Sequence, residues 1–359
     1  MGPDDFDYDL PATAIAQVPL DDRPSARLLD ATGDPVIHRT VRDLPSLLGP
    51  GDVLVVNDTR VMAARLRLRR YTGGTAEILL LRPVDGEDTG SPSGDRWEAL
   101  VRPSRRLPAG TVLTPGGSTD GDLSVEVGID LGEGRRHVRV RTSDGDVMAA
   151  LDRYGEMPLP PYLTTDLADP ERYQTVFSDR PASAAAPTAG LHLTDEVLDR
   201  CRAAGARVER LELVVGLDTF RPVAVDDLDD HHMHHEEYRV GPEVLEACLG
   251  AGRTGGRVVA VGTTTVRALE SAARLGPSGS TDLFIRPPFD FRVVDVLMTN
   301  FQLPRSTLLV MLEALVGPRW RDLYGGALDA GYRFLSFGDA MLVATTTTGA
   351  AADRRGADR

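Results

Sequence analysis

The chain has 359 residues, of which 42% are hydrophobic and 26% charged. At roughly 150 residues per domain this allows two domains, or one large domain with an insertion, and it excludes a mostly disordered chain. Forty basic residues against 54 acidic ones give a formal charge of −14, and all forty are arginine. The lack of lysine excludes Schiff-base chemistry, a pyridoxal-phosphate anchor and a Walker-type phosphate loop, each of which needs an ammonium group.

Cys201 and Cys248 stand far apart, which excludes a disulfide framework or a cysteine metal knuckle. The acidic start, Met1 to Asp5, leads into no apolar segment of signal-peptide type, and no run approaches a membrane span. A soluble, monomeric cytoplasmic protein is expected. The negative charge argues mildly against a nucleic-acid partner, but arginines cluster at 65–70, 102–106 and 135–141. Each cluster reads first as the solvated face of a strand.

In chain order, an extended arm leads to a strand at 52–56, closed by the turn Asn57-Asp58-Thr59-Arg60. From about Tyr71 to Thr142 short alternating segments follow one another: 97–101, 123–127 and 137–140, separated by Gly, Pro, Ser and Asp. This texture predicts a small antiparallel barrel or sandwich. Beyond the stiff Met157-Pro158-Leu159-Pro160-Pro161-Tyr162 the pattern changes. Thr194 caps a helix running to about Ala204, stopped by Gly205. A strand follows at 208–215, then a helix with Pro242 in its first turn and 243–249 as its body. A buried strand at 257–261 turns at Gly262 into a helix over 264–274. Strands are predicted at 293–299 and 334–343, with a helix between them opened by Ser306 or Thr307 and ending near Val316.

Alternating strands and helices predict an α/β fold with a mixed, largely parallel sheet and an inserted antiparallel β-barrel domain. The expected boundaries are 1–64 and 152–344 for a discontinuous catalytic domain, 65–151 for the insertion and 345–359 for a mobile tail.

Several segments have the composition of a site. Asp230 to Glu237 holds four of the seven histidines. His231 would share a helical face with His234 or His235. No His-Glu-x-x-His pattern and no second histidine cluster is present, so acid–base work by an imidazole or by Glu236 is preferred to metal binding. Ala186 to His192 is a small-residue loop that lets a ligand approach the backbone. Val261 to Arg267 is a strand-to-helix turn whose amides and threonine hydroxyls can hold a carboxylate or phosphate. Thr299 and Asn300 end an apolar strand, where ligands of open α/β sheets bind. Tyr332 to Met341 reads either as half-buried packing or as a site for a flat base.

The residues Asn57 to Val61, Met157 to Tyr162, Tyr173 to Phe177, Ala185 to His192, Gly262 to Arg267, Asp295 to Pro304 and Tyr332 to Met341 closely resemble the S-adenosylmethionine:tRNA ribosyltransferase-isomerase family of queuosine biosynthesis. The match runs in order from about Phe6 to Val343. The resemblance implies transfer of the ribosyl part of S-adenosylmethionine to 7-aminomethyl-7-deazaguanine in tRNA. Isomerisation would give epoxyqueuosine, with release of adenine and methionine. It implies no metal and no bound cofactor, with S-adenosylmethionine as a substrate.

The candidates for proton transfer are then His192, His234, Glu236 and Asp339. Thr188, Ala189, Gly190, Thr263, Thr264 and Arg267 would hold S-adenosylmethionine, with Arg267 or the helix start taking its carboxylate. Gly216, Thr219, Asp295, Thr299 and Asn300 complete the substrate set, and Arg60 and Arg65 would contact tRNA phosphate or substrate. Asp218, Pro288, Gln302 and His235 depart from the residues usual in the family. They open an alternative, a divergent relative that uses S-adenosylmethionine with a small-molecule acceptor or cleaves it.

Overall fold

The computed structural model describes residues 1–84, 95–117, 121–216, 223 and 225–346. Among these the chain forms β1 (Arg27–Ala31), β2 (Ile37–Thr40), β3 (Val53–Asn57) and the short β4 (Arg60–Val61). Then come β5 (Arg65–Arg69), β6 (Thr75–Pro83), β7 (Arg96–Arg102), β8 (Val112–Leu113), β9 (Leu123–Gly132), β10 (Arg135–Thr142), α1 (Val147–Tyr154) and β11 (Gly155–Glu156). β12 (Pro181–Ser183), α2 (Asp195–Ala203), β13 (Arg207–Leu213), β14 (Glu236–Val240), α3 (Pro242–Ala251), β15 (Val258–Val261) and α4 (Thr263–Leu275) follow. The last elements are β16 (Ser278–Thr281), β17 (Val296–Asn300), α5 (Thr307–Val316), α6 (Trp320–Asp329) and β18 (Ala340–Ala344).

Contacts divide the chain into two compact units. One comprises Met1–Arg60, Pro160–Arg180 and the chain from Ala186 onward; the other comprises Val61–Leu159 with Pro181–Ala185. The sequence-based break at 151 falls inside α1. That helix belongs to the second unit, together with β11, which pairs with β5. Residues 347–359 of the expected tail lie outside the described residues.

The first unit is built on a nine-stranded sheet in the order β16-β14-β13-β3-β15-β17-β18-β1-β2. Four neighbouring pairs are parallel and four antiparallel, so the sheet is evenly mixed and not largely parallel. The parallel block β13-β3-β15-β17 is its centre. Its strands β3, β15 and β17 are buried at every residue, the mark of strands covered on both faces. One face packs Leu54, Val56, Val259, Val261, Val296 and Met298 against Val197, Leu198 and Cys201 of α2 and against Val41 and Leu44. α3 and α4 contact β3 and β13 as well.

Local chemistry explains where these elements start and stop. The Thr194 hydroxyl accepts from the Val197 amide at 3.3 Å and opens α2, and Gly205, at φ +97°, ends the turn beyond it. Ser306 accepts from the Leu309 amide at 3.4 Å to open α5. Two expected strands are shorter than predicted. β17 starts at Val296 and not at Val293, because the Glu270 carboxylate takes the amides of Arg292, Val293 and Val294 at 2.9, 3.0 and 3.1 Å. β18 starts at Ala340 and not at Phe334, because Leu335 adopts φ +68° and breaks the extended chain. Helix α6 was not expected; its adjacent Gly325 and Gly326 lower local helix propensity, and burial of Trp320, Leu323 and Tyr324 overrides that.

The second unit is a curled seven-stranded antiparallel sheet in the order β11-β5-β6-β7-β10-β9-β8. Just past β8, Thr114 exchanges two backbone hydrogen bonds with Arg69 of β5, at 2.8 and 3.0 Å. Leu66 and Leu68 point inward while Arg67 and Arg69 face water. Five arginines of the clusters, and Arg82 beside them, are strand residues spent on acids. Arg67 meets Glu156, Arg82 and Arg135 share Glu98, Arg136 meets Asp130, Arg139 meets Asp95 and Arg141 meets Glu126.

Glu270 is fully buried and also binds Arg274 at 2.5 Å. Replacing it by alanine strands three amides and one guanidinium. Glu270→Ala should therefore lose about 3–5 kcal/mol in urea unfolding; a loss under about 1 kcal/mol would show that the loop repacks without it.

Candidate active site

β13, β3, β15 and β17 run parallel, so Leu213, Asn57, Val261 and Asn300 end at one edge of the sheet. β18 runs against β17, with Asn300 opposite Ala340, and β1 follows β18, with Leu28 opposite Ala340. The segments entering β18 and β1 therefore lie at that same edge. The chain leaving β15 turns back through α4 over β13 and β14, while the chain leaving β17 goes to α5, beside β18. The connections diverge between β15 and β17, which makes the crevice outside these strand ends the switch point of the sheet.

Three segments meet there. The first is the short 3-10 helix Thr188–His192, the second the turn at Gly262, and the third the end of β17. Asn300 joins them. Its Oδ1 accepts from the Thr188 hydroxyl at 3.3 Å, and its Nδ2 lies 3.0 Å from His192 Nε2. Nδ2 also donates to the carbonyls of Leu335 and Asp339, at 3.1 and 3.4 Å. Two carbonyl acceptors fix Nδ2 as the amide nitrogen, so His192 Nε2 accepts and the ring proton sits on Nδ1. Burial holds the His192 imidazole down to about 4, against an opposing pull from Asp339 and with help from Arg333 and Arg23. It is neutral at pH 7.

Two clefts adjoin this junction. One is lined by Tyr162, Thr188, Asn300, Gln302, Leu303 and Ser336, among others. The other is lined by His192, Ser336, Phe337 and three arginines, Arg23, Arg172 and Arg333, among others. Ser336 belongs to both, and its hydroxyl is 2.7 Å from the Tyr162 hydroxyl. Asn57, which the sequence reading left as part of a turn, positions the turn beyond β15. It binds the Leu213 backbone at 3.0 and 3.1 Å and the Thr264 hydroxyl at 3.2 Å.

The other expected site residues fall into distinct places. Ala189 packs on the Gly262 turn; a Cβ built on Gly262 would stand 3.8 Å from the Ala189 methyl. Gly190 serves packing and not ligand approach, since a Cβ there would meet Phe177 at 2.8 Å and Thr175 at 3.0 Å. Thr263 and Thr264 are buried in the first turn of α4. Thr299 accepts from the Gln302 side chain at 2.8 Å. Asp339 is buried and accepts from the amides of Arg27 and Arg333 at 3.0 and 2.8 Å.

Glu236 and Arg267 are both buried and bind each other. Glu236 also accepts from the Gly216 amide at 3.2 Å, and Arg267 donates to the Leu283 carbonyl at 3.2 Å. The guanidinium chosen for a substrate carboxylate and the carboxylate chosen for proton transfer are thus each other's partner. Asp295 is at the other end of β17, where it accepts from the Val258 amide at 2.8 Å. At roughly 3.3 Å per residue it is about 16 Å from the crevice. His231 to His235 are irregular and not helical, and His234 is exposed. Among the described residues no group of three or more His, Cys, Asp or Glu side chains converges for a metal. Arg60 pairs with Glu171 at 2.6 Å. Arg65 belongs to the second unit, where it reaches the Leu159 carbonyl at 3.4 Å. Thr219 and Asp218 lie outside the described residues.

The aromatics of 332–337 are packing groups. Phe334 stacks on Phe301 at 4.6 Å, Tyr324 meets both edge-on, and Tyr8 and Trp320 pack edge-on against Tyr324. One acid was missed. Asp58, next to Asn57, has its carboxyl pushed up to about 6 by burial and by the nearby Glu212 and Asp179. Its signal in the sequence, an acid just past a buried strand, is too common to stand out.

His192 sets a pH window. Below the ordinary histidine pKa the unfolded chain takes up a proton that the folded chain refuses until about pH 4. Stability should therefore fall as pH drops from 6.5 toward 4, by on the order of 3 kcal/mol from this group. The test is NMR of the imidazole with unfolding curves at pH 7 and 5. A His192 that titrates near 6.5 would refute the assignment.

The family described as "Queuosine biosynthesis protein" matches residues 3–343. A protein of Azoarcus sp. named S-adenosylmethionine:tRNA ribosyltransferase-isomerase is 47% identical over 94% of this chain and 96% of its own length. One of Staphylococcus epidermidis with the same name is 43% identical over 96% of this chain and 100% of its own. The crystal structure of S-adenosylmethionine tRNA ribosyltransferase from Thermotoga maritima aligns with a TM-score of 0.52 at 33% identity, covering 94% of this chain and 99% of that one. No described helix is long and apolar enough to cross a membrane. With a match that spans the chain and relatives of this identity, the protein belongs to the S-adenosylmethionine:tRNA ribosyltransferase-isomerase family of queuosine biosynthesis.

Proposed function

We propose that this chain transfers the ribosyl part of S-adenosylmethionine to 7-aminomethyl-7-deazaguanine in tRNA and isomerises it, releasing adenine and methionine. S-adenosylmethionine enters as a substrate, so the proposal invokes no resident cofactor. The carrying observation is the neutral, buried His192 held by Asn300 at the switch point of the sheet.

The chemistry explains why that matters. A sulfonium acidifies the hydrogens on the neighbouring C5′, so a base of modest strength can remove one. A cationic side chain there would repel the sulfonium and would have no lone pair to offer. A neutral imidazole has neither fault, and His192 Nε2 can take the proton once bound substrate shifts the Asn300 amide. Tyr162, Ser336 and Gln302, which line the first cleft with Asn300, supply donors and acceptors for a purine edge. The Gly262 turn and Thr263, at the positive end of α4, face a substrate oxygen or ring nitrogen. Glu236 and Arg267 shape one wall of the site as an ion pair. The second unit is read as a β-barrel closed through the Arg69–Thr114 bridge. Its exposed Arg69, Arg102, Arg105 and Arg106 form no ion pair with a described residue and are assigned to tRNA phosphates.

The test is incubation with S-adenosylmethionine, with and without tRNA carrying the 7-aminomethyl base, following adenine, methionine and the tRNA nucleosides by mass spectrometry. Adenine release should require that tRNA; release without it would favour cleavage or a small-molecule acceptor. His192→Ala, with folding checked by circular dichroism, should lower kcat roughly 10²–10⁴-fold. Replacing Arg102, Arg105 and Arg106 together by glutamine should raise KM for tRNA and flatten its salt dependence by about one unit of log–log slope per lost phosphate contact, at unchanged affinity for S-adenosylmethionine. An unchanged slope would remove this face from the interface.

A further inference from the structure

Arg267 is committed to Glu236, so the negative group that S-adenosylmethionine or tRNA brings to the crevice must be met elsewhere. The second cleft holds the other arginines of this edge. Arg23 donates to the Leu191 carbonyl at 2.9 Å and to the Glu171 carbonyl at 3.3 Å. Arg172 donates to the carbonyls of Asp21, at 3.2 Å, and Leu20. Neither forms an ion pair with a described residue, although both line the cleft. Arg333, on the opposite wall, keeps a longer 3.4 Å contact with Asp339.

The Arg23 and Arg172 guanidiniums are held by carbonyls, whereas many other arginines of the chain sit on acids. Each carbonyl clamp fixes the planar fork and leaves other N–H groups pointing away from the clamp. Burial and the Arg172 charge both lower the Arg23 pKa, while Asp169 and Glu171 raise it; Glu171 itself is bound to Arg60. Bringing two like charges together at a partly buried site costs free energy that an anion would recover. His192 lines the same cleft. Apart from Ser336 and Gly338 the rest of the lining, Pro19, Leu20, Ala26, Leu191 and Phe337, is apolar. Such a wall strengthens a charged contact by excluding water.

We propose that Arg23, Arg172 and Arg333 form an oxyanion subsite that anchors the reacting molecule beside His192. It rests on the functional reading above and adds the group that is gripped. The ligand is a single oxyanion, from one of two sources: the carboxylate of the methionine half of S-adenosylmethionine, or the phosphodiester adjoining the acceptor base. The bidentate geometry of guanidinium suits both.

Three variants, Arg23→Gln, Arg172→Gln and Arg333→Gln, test it, with far-UV circular dichroism and melting curves as the check on folding. The probes are S-adenosylmethionine, 5′-methylthioadenosine (which lacks the carboxylate) and tRNA. Loss of S-adenosylmethionine affinity on the order of tenfold to a hundredfold, at unchanged 5′-methylthioadenosine affinity, identifies the carboxylate. Unchanged affinity for both nucleosides, with a similar rise in KM for tRNA and a shallower salt slope, identifies the phosphodiester. If all folded variants stay within twofold of the wild type in every one of these measurements, the subsite is overturned while the functional reading stands. If the wild type itself neither binds S-adenosylmethionine nor releases adenine, it is the functional reading that fails. Because Arg23 ties three backbone segments together, Arg172→Gln, at the cleft rim, carries the test should Arg23→Gln not fold.

Discussion

The carboxamide of Asn300 is the joint on which the crevice depends. It is a neutral group, 2% exposed, and it binds a hydroxyl, an imidazole and two backbone carbonyls from two separate stretches of chain. No charged residue could do this at comparable cost. An aspartate would face the Leu335 and Asp339 carbonyls with acceptors only, and burial of its charge would add several kcal/mol. The amide dictates what each neighbour becomes. His192 is an acceptor at Nε2, Thr188 is a donor, and the 332–339 segment must turn its carbonyls toward β17. That last demand accounts for Leu335 in a left-handed conformation, a strain that persists because the aromatic cluster on one side and Asn300 on the other leave no alternative.

The evenly mixed sheet serves the same end. In a purely parallel sheet the edge of the crevice would be lined only by segments leaving strands. Here β18 runs against β17, so the segment entering it, with Arg333, Ser336 and Asp339, arrives at that edge too. β1 follows β18 and brings Arg23 and Ala26 with it. Residues from both termini of the first unit thus come to stand beside the Thr188–His192 turn, although the sequence separates them by hundreds of residues. Glu270 supports the arrangement from the opposite end of β17, by fixing the 292–294 amides and hence where the strand begins.

This bears on what the sequence could reveal. Elements bounded by local chemistry were legible: α2 from Thr194 and Gly205, α3 from Pro242, α5 from Ser306, and the buried strands from their unbroken apolar runs. Elements bounded by distant partners were not. The first residues of β17 look like strand until Glu270, 22 to 24 residues away, claims their amides. Leu335 looks like strand until the fold forces its φ positive. At the site, Thr188, His192 and Asn300 were legible as polar groups at the ends of apolar segments. Asp295 has the same composition five residues earlier, and only strand direction tells the two ends of β17 apart. Glu236 and Arg267 each look like a free functional group when read alone. Their pairing is a contact across β14 and α4 that no local pattern encodes. The histidine run carried a metal signal only under the assumption of a helix, and the chain is irregular there.

Charge placement ties these observations together. In a chain whose only permanent cations are arginines, a guanidinium can be neutralised by an acid or held by carbonyls. The first choice ties it closely to one acid, as Glu236 does to Arg267 and Glu156 to Arg67. The second orients it and leaves its charge available, as for Arg23 and Arg172. A site for a sulfonium faces opposite requirements within a few ångströms: no cation near the sulfur, and cations near whatever oxyanion accompanies it. A protonated histidine between the two regions would violate the first requirement. A histidine kept neutral by burial satisfies it, and still offers a lone pair toward Asn300. The low pKa of His192 is therefore what lets one residue border both regions, and it follows from burial together with the arginines already gathered beside it.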